Sequence, residues 1–374
     1  MNVIDYIDWR GDLTLEQAPF NGPDSFIFSM MIMVDFRGIV PDNGTASLYE
    51  AAKEFFLRND ADKLKLGLMI SPEIIPMLKK TAVAPRYRDL RLTLFQTKRD
   101  DSSQFGAVTV LHGKTAYVCF EGTDDTLAGW KEDFAMSFQC PVASQRAAVD
   151  YLRLVDAAVC PDEIITCGHS KGGNLAVYSA AFAPEETAEK ITAVYNHDGP
   201  GFPAEIVSDP RYQKLLPKIR SFVPQNSIIG MLLERQDSFV VVKSTQKGVF
   251  QHDGFSWQVM RDKFVQMSGR TAESEIVGKT FREFLSRMDG KEREQFTEAL
   301  FEMLSVTNAQ TLLELAESKS VLLKAMRSIA PETKDIVSKA LRQLVAAGRK
   351  AAKEYASELS EKNGVRDDKT APGV

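Results

Sequence analysis

The sequence predicts an α/β fold. Its sheet starts antiparallel and continues mainly parallel, with helices on both faces, a helical cover before it and a helical extension after it. Three observations point there. The hydrophobic period switches near residue 88 from helical to alternating. A short apolar run, Glu163 to Cys167, breaks at Gly168-His169-Ser170-Lys171-Gly172 and resumes as a helix-like stretch through Tyr178. Before that run lies a second helical stretch, Ala143 to Ala158, with Val149, Tyr151, Leu152 and Val155 as its apolar stripe. A strand, a crossover helix and a returning strand require parallel pairing.

Composition bounds the rest. The 374 residues are 44% hydrophobic and 26% charged, ordinary for a globular chain with about two domains and a self-sufficient core. The net charge of −5 argues against a general nucleic-acid binder. Cys119, Cys140, Cys160 and Cys167 lack CxxC spacing, so they read as mostly buried thiols, neither a metal site nor a disulfide framework. The reading needs no metal and no cofactor. The N-terminus has no signal-peptide pattern, which predicts a cytoplasmic location. The longest apolar run, Phe26 to Phe36, is too short to span a bilayer and has helical spacing, so it reads as a core helix. Peripheral contact with lipid stays open, as does the oligomeric state.

Residues 1–85 form the helical cover. Asp24 is placed to cap the Met-rich helix, Ser47-Leu-Tyr-Glu50 is a capping box, and Ser71-Pro72 starts a further helix. Residues 86–260 form the α/β core. Leu90 to Lys98, Gln104 to Leu111 and Thr115 to Glu121 are its first strands, with His112-Gly113-Lys114 as a solvated turn. Ile191 to His197, Arg220 to Val223 and Ser238 to Lys243 follow the elbow helix as further strands. Residues from 257 onward read as helical. Residues 261–360 form the extension, with stripes at Phe281, Phe284, Leu285 and Met288 and at Phe296, Ala299, Leu300 and Met303. Helix is expected to about Glu358, and 361–374 read as a disordered tail. Segments 204–217 and after 257 are candidates to cover a site.

Gly168-x-Ser170-x-Gly172 between strand and helix has the spacing of a nucleophile elbow. The serine stands on a sharp turn, and glycines two before and two after allow the backbones to pass. A serine hydroxyl needs a base, and the base needs a carboxylate. The chain has four histidines. His112 precedes the elbow and His169 adjoins the serine, which leaves His197 and His252. His252, after the last core strand, is the candidate base. Asp198, ending the strand after the elbow unit, is the candidate acid, with Asp237 and Asp253 as fallbacks. Two N–H donors should hold an oxyanion: Lys171, and Gly122 or Thr123 after the third strand, with the Thr123 hydroxyl as an added donor. The Lys171 ammonium either meets an anionic group or pairs at the surface with Asp124 or Asp125.

These motifs resemble a known family. Phe120-Glu-Gly-Thr123 with Trp130 and Asp133 is similar to the oxyanion loop of class 3 lipases, with Glu121 in place of the usual arginine. Gly168-His-Ser-Lys-Gly-Gly173 resembles the lipase elbow, with Lys171 in place of leucine. To about residue 260, including Asp8-Trp-Arg-Gly-Asp12 and Gln251-His-Asp253, the chain resembles an uncharacterised bacterial lipase-like family of the α/β-hydrolase superfamily. The resemblance implies hydrolysis of small-molecule or lipid carboxylic esters by Ser170, His252 and an acid. Class 3 lipases carry that acid on the later strand, where this chain has Ser227. Asp198 instead matches the arrangement of pancreatic-type lipases. The alternative is a degraded hydrolase fold that serves as a binding or scaffold protein.

Overall fold

A computed structural model describes residues 1–61, 63–64, 70–100, 103–124, 126–305 and 330–367, except the side chains of 352 and 354–367. Eight strands form one sheet in sequential order: β1 (Ala46–Ser47), β2 (Arg91–Arg99), β3 (Gln104–His112), β4 (Thr115–Phe120), β5 (Glu163–His169), β6 (Ile191–His197), β7 (Ile219–Pro224) and β8 (Phe239–Val242). Pairing is antiparallel from β1 to β4 and parallel from β4 to β8.

The order of the parallel strands explains the two layers. Crossovers of one hand between successive neighbours put their helices on one face and leave the other bare. On the crossover face lie α6 (Ala143–Val159) and α7 (Lys171–Phe182), packed on Val118, Phe120, Ile164 and Val194. The bare face is covered by α1 (Val3–Arg10), α2 (Gly22–Met31), α3 (Leu48–Arg58) and α4 (Ile74–Thr81), over Tyr117, Cys119, Ile165 and Tyr195. Successive residues of one strand thus serve opposite cores, which is why the central strands read as near-continuous apolar runs.

The remaining helices among the described residues are α5 (Leu127–Ala135), α8 (Glu185–Lys190), α9 (Ala204–Val207), α10 (Pro210–Leu215), α11 (Ala272–Ser286), α12 (Gly290–Ser305) and α13 (Pro331–Asp367). α13 packs across α11 and α12, with Ala340 and Ala347 against Phe284 and Met288, and it runs past Glu358. Residues 368–374 of the expected tail lie outside the described residues. Among the described residues, no helix is long and apolar enough to cross a membrane.

Several local expectations change. The cap of α2 is Asn21; Asp24 sits three residues on, completes a capping box and forms a fully buried ion pair with Arg86. Tyr6 and Tyr87 also donate to Asp24, which ties α1, α2 and the end of the cover together. α4 starts at Ile74, two residues after Pro72. The segment after Trp257 is first a hairpin, β9 (Val259–Met260) with β10 (Lys263–Phe264), and becomes helical only at Ala272. Only Cys119 and Cys167 are buried; Cys140 is half-buried and Cys160 exposed.

Candidate active site

The site is built at the carboxyl ends of β4 to β7. Ser170 leaves β5 with φ 56° and ψ −131°, a region that costs a non-glycine residue about 1–3 kcal/mol. Surrounding contacts hold it there. A Cβ on Gly168 would lie 2.1 Å from the Gly172 carbonyl, and one on Gly172 would lie 2.2 Å from the Phe120 oxygen. The Ser170 N–H donates to the His197 carbonyl at 2.9 Å, and its own carbonyl accepts from Gly173 at the start of α7.

Asp198 follows β6 directly, with φ 52° and its N–H donating to Phe222 on β7. Its carboxylate is buried. Oδ2 accepts from His252 Nδ1 at 2.7 Å and Oδ1 from Ser227 Oγ at 2.5 Å. His252 lies at the end of a short 3-10 turn after β8, its side chain 17% exposed. The ring of His169 lies tilted against that of His252, centroids 4.6 Å apart, and its Nε2 donates to the His252 carbonyl at 2.8 Å. Trp257 Nε1 donates to the adjacent Gln251 carbonyl, pinning the turn from the other side. Among the described residues, no hydrogen bond joins Ser170 Oγ to His252, so the structure brings together His252 and Asp198, with the serine left unbonded beside the cavity described below.

The fallback acids are engaged elsewhere. Asp253 accepts from Ser71 and from the Phe255 N–H. Asp237 is held by Arg235 and Ser221. His197 is fully buried on the cover face, donating Nε2–H to Ser25 Oγ, which itself donates to Gly22. Burial pushes its pKa down to about 3. Burial also holds His169 well below the usual histidine range, so its ring is neutral. His112 bonds Glu16 beside the β3–β4 turn.

The loop after β4 and the residue after Ser170 differ from expectation at two side chains. The Thr123 hydroxyl donates to Asp133 Oδ2 at 2.5 Å, so its single hydrogen is committed. The Lys171 ammonium neither meets solvent nor pairs at the surface. It is 1% exposed and turns beneath the sheet edge to Glu132 Oε2 at 3.2 Å, Gln104 O at 3.0 Å and Gln104 Oε1 at 3.1 Å. Asp124 is taken by Arg99 and Thr126; Asp125 lies outside the described residues. What remains at the mouth is backbone. Lys171 is the first residue of α7, where N–H groups have no intrahelical acceptor. Gly122 abuts the elbow, 2.7 Å from its Cβ position to the His169 oxygen, with its carbonyl held by Gln104 Nε2.

The glutamate that replaces the lipase arginine is answered from another strand. Arg99 on β2 bonds Glu121 Oε1 at 2.6 Å and Asp124 Oδ2 at 2.9 Å. Burial nevertheless pushes the Glu121 carboxyl up, and pushes Asp133 to about 6.

A cavity of about 140 Å³ opens beside Ser170. Trp130, Phe134, Phe281, Phe284, Leu285 and Met288 give it an apolar wall. α5 forms one side and α11 and α12 the roof. The roof is anchored to the Ser227 loop: Ser274 Oγ donates to the Ser227 carbonyl at 2.7 Å and Thr271 N to Gln225 at 3.0 Å. Arg293 of α12 ties the carbonyls of Leu285 and Ser137. The 204–217 segment, the other expected cover, packs instead against α7 through Tyr212 and Leu215.

Residues 81–302 match the family model described as Mbeg1-like. The chain belongs to the Mbeg1-like family. That family is lipase-like and of unknown function. A comparison with curated proteins finds no match. The matched span includes the elbow, both partners of the His252–Asp198 bond, α11 and most of α12 of this Mbeg1-like chain. Sequence reasoning missed Glu132 and Arg99 as parts of this neighbourhood, and it missed the contacts of His169 with His252 and of Ser227 with Asp198. Arg99 and Glu132 are ordinary surface-type residues in sequence; Glu132 is marked out by its burial, and Arg99, still 40% exposed, by its bonds to Glu121 and Asp124.

Proposed function

We propose that the chain is a serine acyl hydrolase of carboxylic esters on an α/β-hydrolase fold. The observation that carries this is the His252 Nδ1–Asp198 Oδ2 bond of 2.7 Å in the company of a strained elbow serine. Asp198 orients the ring so that Nε2 is free to act as base, and it stabilises the imidazolium that forms. Ser170 Oγ attacks the ester carbonyl as Nε2 takes its proton. The N–H groups of Lys171 and of Gly122 or Thr123 hold the oxyanion, at the positive end of α7. The imidazolium then gives its proton to the departing alkoxide, leaving an acyl-Ser170 ester. A water, deprotonated by His252, attacks that ester; as the acyl–Oγ bond breaks, the imidazolium returns the proton to Ser170 Oγ and the carboxylic acid is released. Catalytic hydrogen bonds of this kind are often long or poorly aligned until the reacting complex forms, so the missing Ser170–His252 bond does not count against the pair.

The test is active-site labelling of the folded protein with a fluorophosphonate, alongside hydrolysis of short 4-nitrophenyl esters. Labelling at Ser170 that is lost in Ser170→Ala, with loss of esterase activity, supports the proposal. A folded wild type that neither labels nor hydrolyses any ester sinks it, and leaves the fold as a binding module.

A further inference from the structure

Five buried side-chain nitrogen or oxygen atoms lack a hydrogen-bond partner among the described residues, and two of them belong to residues lining the cavity beside Ser170. They are Trp130 Nε1, a donor, and Asp133 Oδ1, an acceptor. They stand three residues apart on α5, hence on one face of the helix. The other oxygen of Asp133 is already bonded to Thr123, which fixes the carboxyl's orientation. A buried polar atom left unpaired is costly and calls for a partner. The rest of the wall is apolar at Phe134, Phe281, Phe284, Leu285 and Met288, while the side chains of Ser137, Arg293 and Thr297 donate to backbone carbonyls instead.

We propose that this cavity takes a short acyl chain bearing a hydroxyl group, whose oxygen accepts from Trp130 Nε1 and whose proton goes to Asp133 Oδ1. The inference rests on the acyl-hydrolase reading above and names its substrate class. An alcohol hydroxyl both accepts and donates, so one group satisfies both orphan atoms. The cavity is assigned to the acyl side because the acyl group stays bound to Ser170 through the second half-reaction, whereas the alcohol must leave. Its volume, about 140 Å³, is close to that of an apolar cavity known to hold a benzene-sized molecule, roughly 150 Å³. That limits the acyl chain to a few carbons.

The experiment compares 4-nitrophenyl esters of butanoic, 2-hydroxybutanoic and 3-hydroxybutanoic acids, with each kcat/KM divided by the spontaneous hydrolysis rate of that ester. One hydroxylated ester should exceed butanoate by about tenfold or more, because a site built around a hydroxyl penalises the analogue that lacks it. Trp130→Phe removes the N–H and keeps most of the ring, and should bring that ratio to within about twofold. Asp133→Asn gives an independent second variant of nearly equal shape and should also lower the ratio. A wild type that hydrolyses all three esters within about twofold of one another, while Ser170 still labels, overturns this inference and leaves the hydrolase reading standing. So does a preference that survives both variants. No hydrolysis and no label would overturn both readings together.

Discussion

Replacing Lys171 by leucine would restore the lipase-type elbow sequence, yet the buried pair predicts that it weakens the protein. Lys171 and Glu132 are 1% and 3% exposed. With the ammonium gone, Glu132 keeps two backbone donors among the described residues, Ser144 N at 2.8 Å and Gln104 N at 3.2 Å. Breaking a buried pair by removing one partner costs about 3–5 kcal/mol, because a charge is left without compensation. An exposed pair would give about 0–1 kcal/mol. For a chain of this size, with a urea dependence of roughly 3 kcal/mol per molar, the unfolding midpoint should fall by about 1–1.7 M. Lys171→Leu combined with Glu132→Gln removes both charges and should recover about half of the loss or more. The assay is urea unfolding followed by circular dichroism for wild type, both single variants and the double. A midpoint shift for Lys171→Leu below about 0.3 M would refute the reasoning, since it is the shift a surface pair would give. A double variant no more stable than the single would refute it equally.

Three further outcomes follow from the geometry. Ser170→Gly should abolish ester hydrolysis and stabilise the fold by about 1 kcal/mol, since glycine tolerates φ 56° without strain; Ser170→Ala should abolish activity without that gain, which urea midpoints distinguish. Asp198→Asn should lower kcat by roughly three to four orders of magnitude through the wrong His252 tautomer, whereas Asp253→Asn, whose carboxylate bonds Ser71, should leave kcat within about threefold. His197 stays neutral when folded, with its pKa near 3, but takes up a proton near pH 6.5 when unfolded. Its contribution is therefore complete above pH 6.5 and is lost as pH falls, by about 2 kcal/mol between pH 7 and pH 5; His197→Gln should lack that portion of the slope in urea unfolding at the two values.

The sheet was legible because its strands are local patterns bounded by turn residues, and because an elbow between a strand and a helix leaves few folds to choose from. The pairing of His252 with Asp198 was legible for another reason. Only four histidines exist, and chain order leaves one of them after the last core strand. The course of the Lys171 side chain was not legible, because Glu132 and Gln104 reach it from separate elements and nothing local marks their convergence. The Thr123 hydroxyl was misjudged on the same ground: its acceptor, Asp133, sits a full loop away. The β9–β10 hairpin was hidden because its turn uses Arg261 at φ 58°, where a glycine or asparagine would have announced it.

Ser227 and Asp198 stand at the ends of two neighbouring strands and meet across a single hydrogen bond of 2.5 Å. One small volume in front of His252 is therefore reachable from either strand. The lipase arrangement that puts its acid at the later strand and the one that puts it at the earlier strand become two ways of filling that volume. A carboxylate at one position and a hydroxyl at the other form a complementary couple, and exchanging them preserves the charge presented to the imidazole. In the proposed triad the acid is thus a property of a place in the fold, and its address along the chain is free to drift between two strand ends.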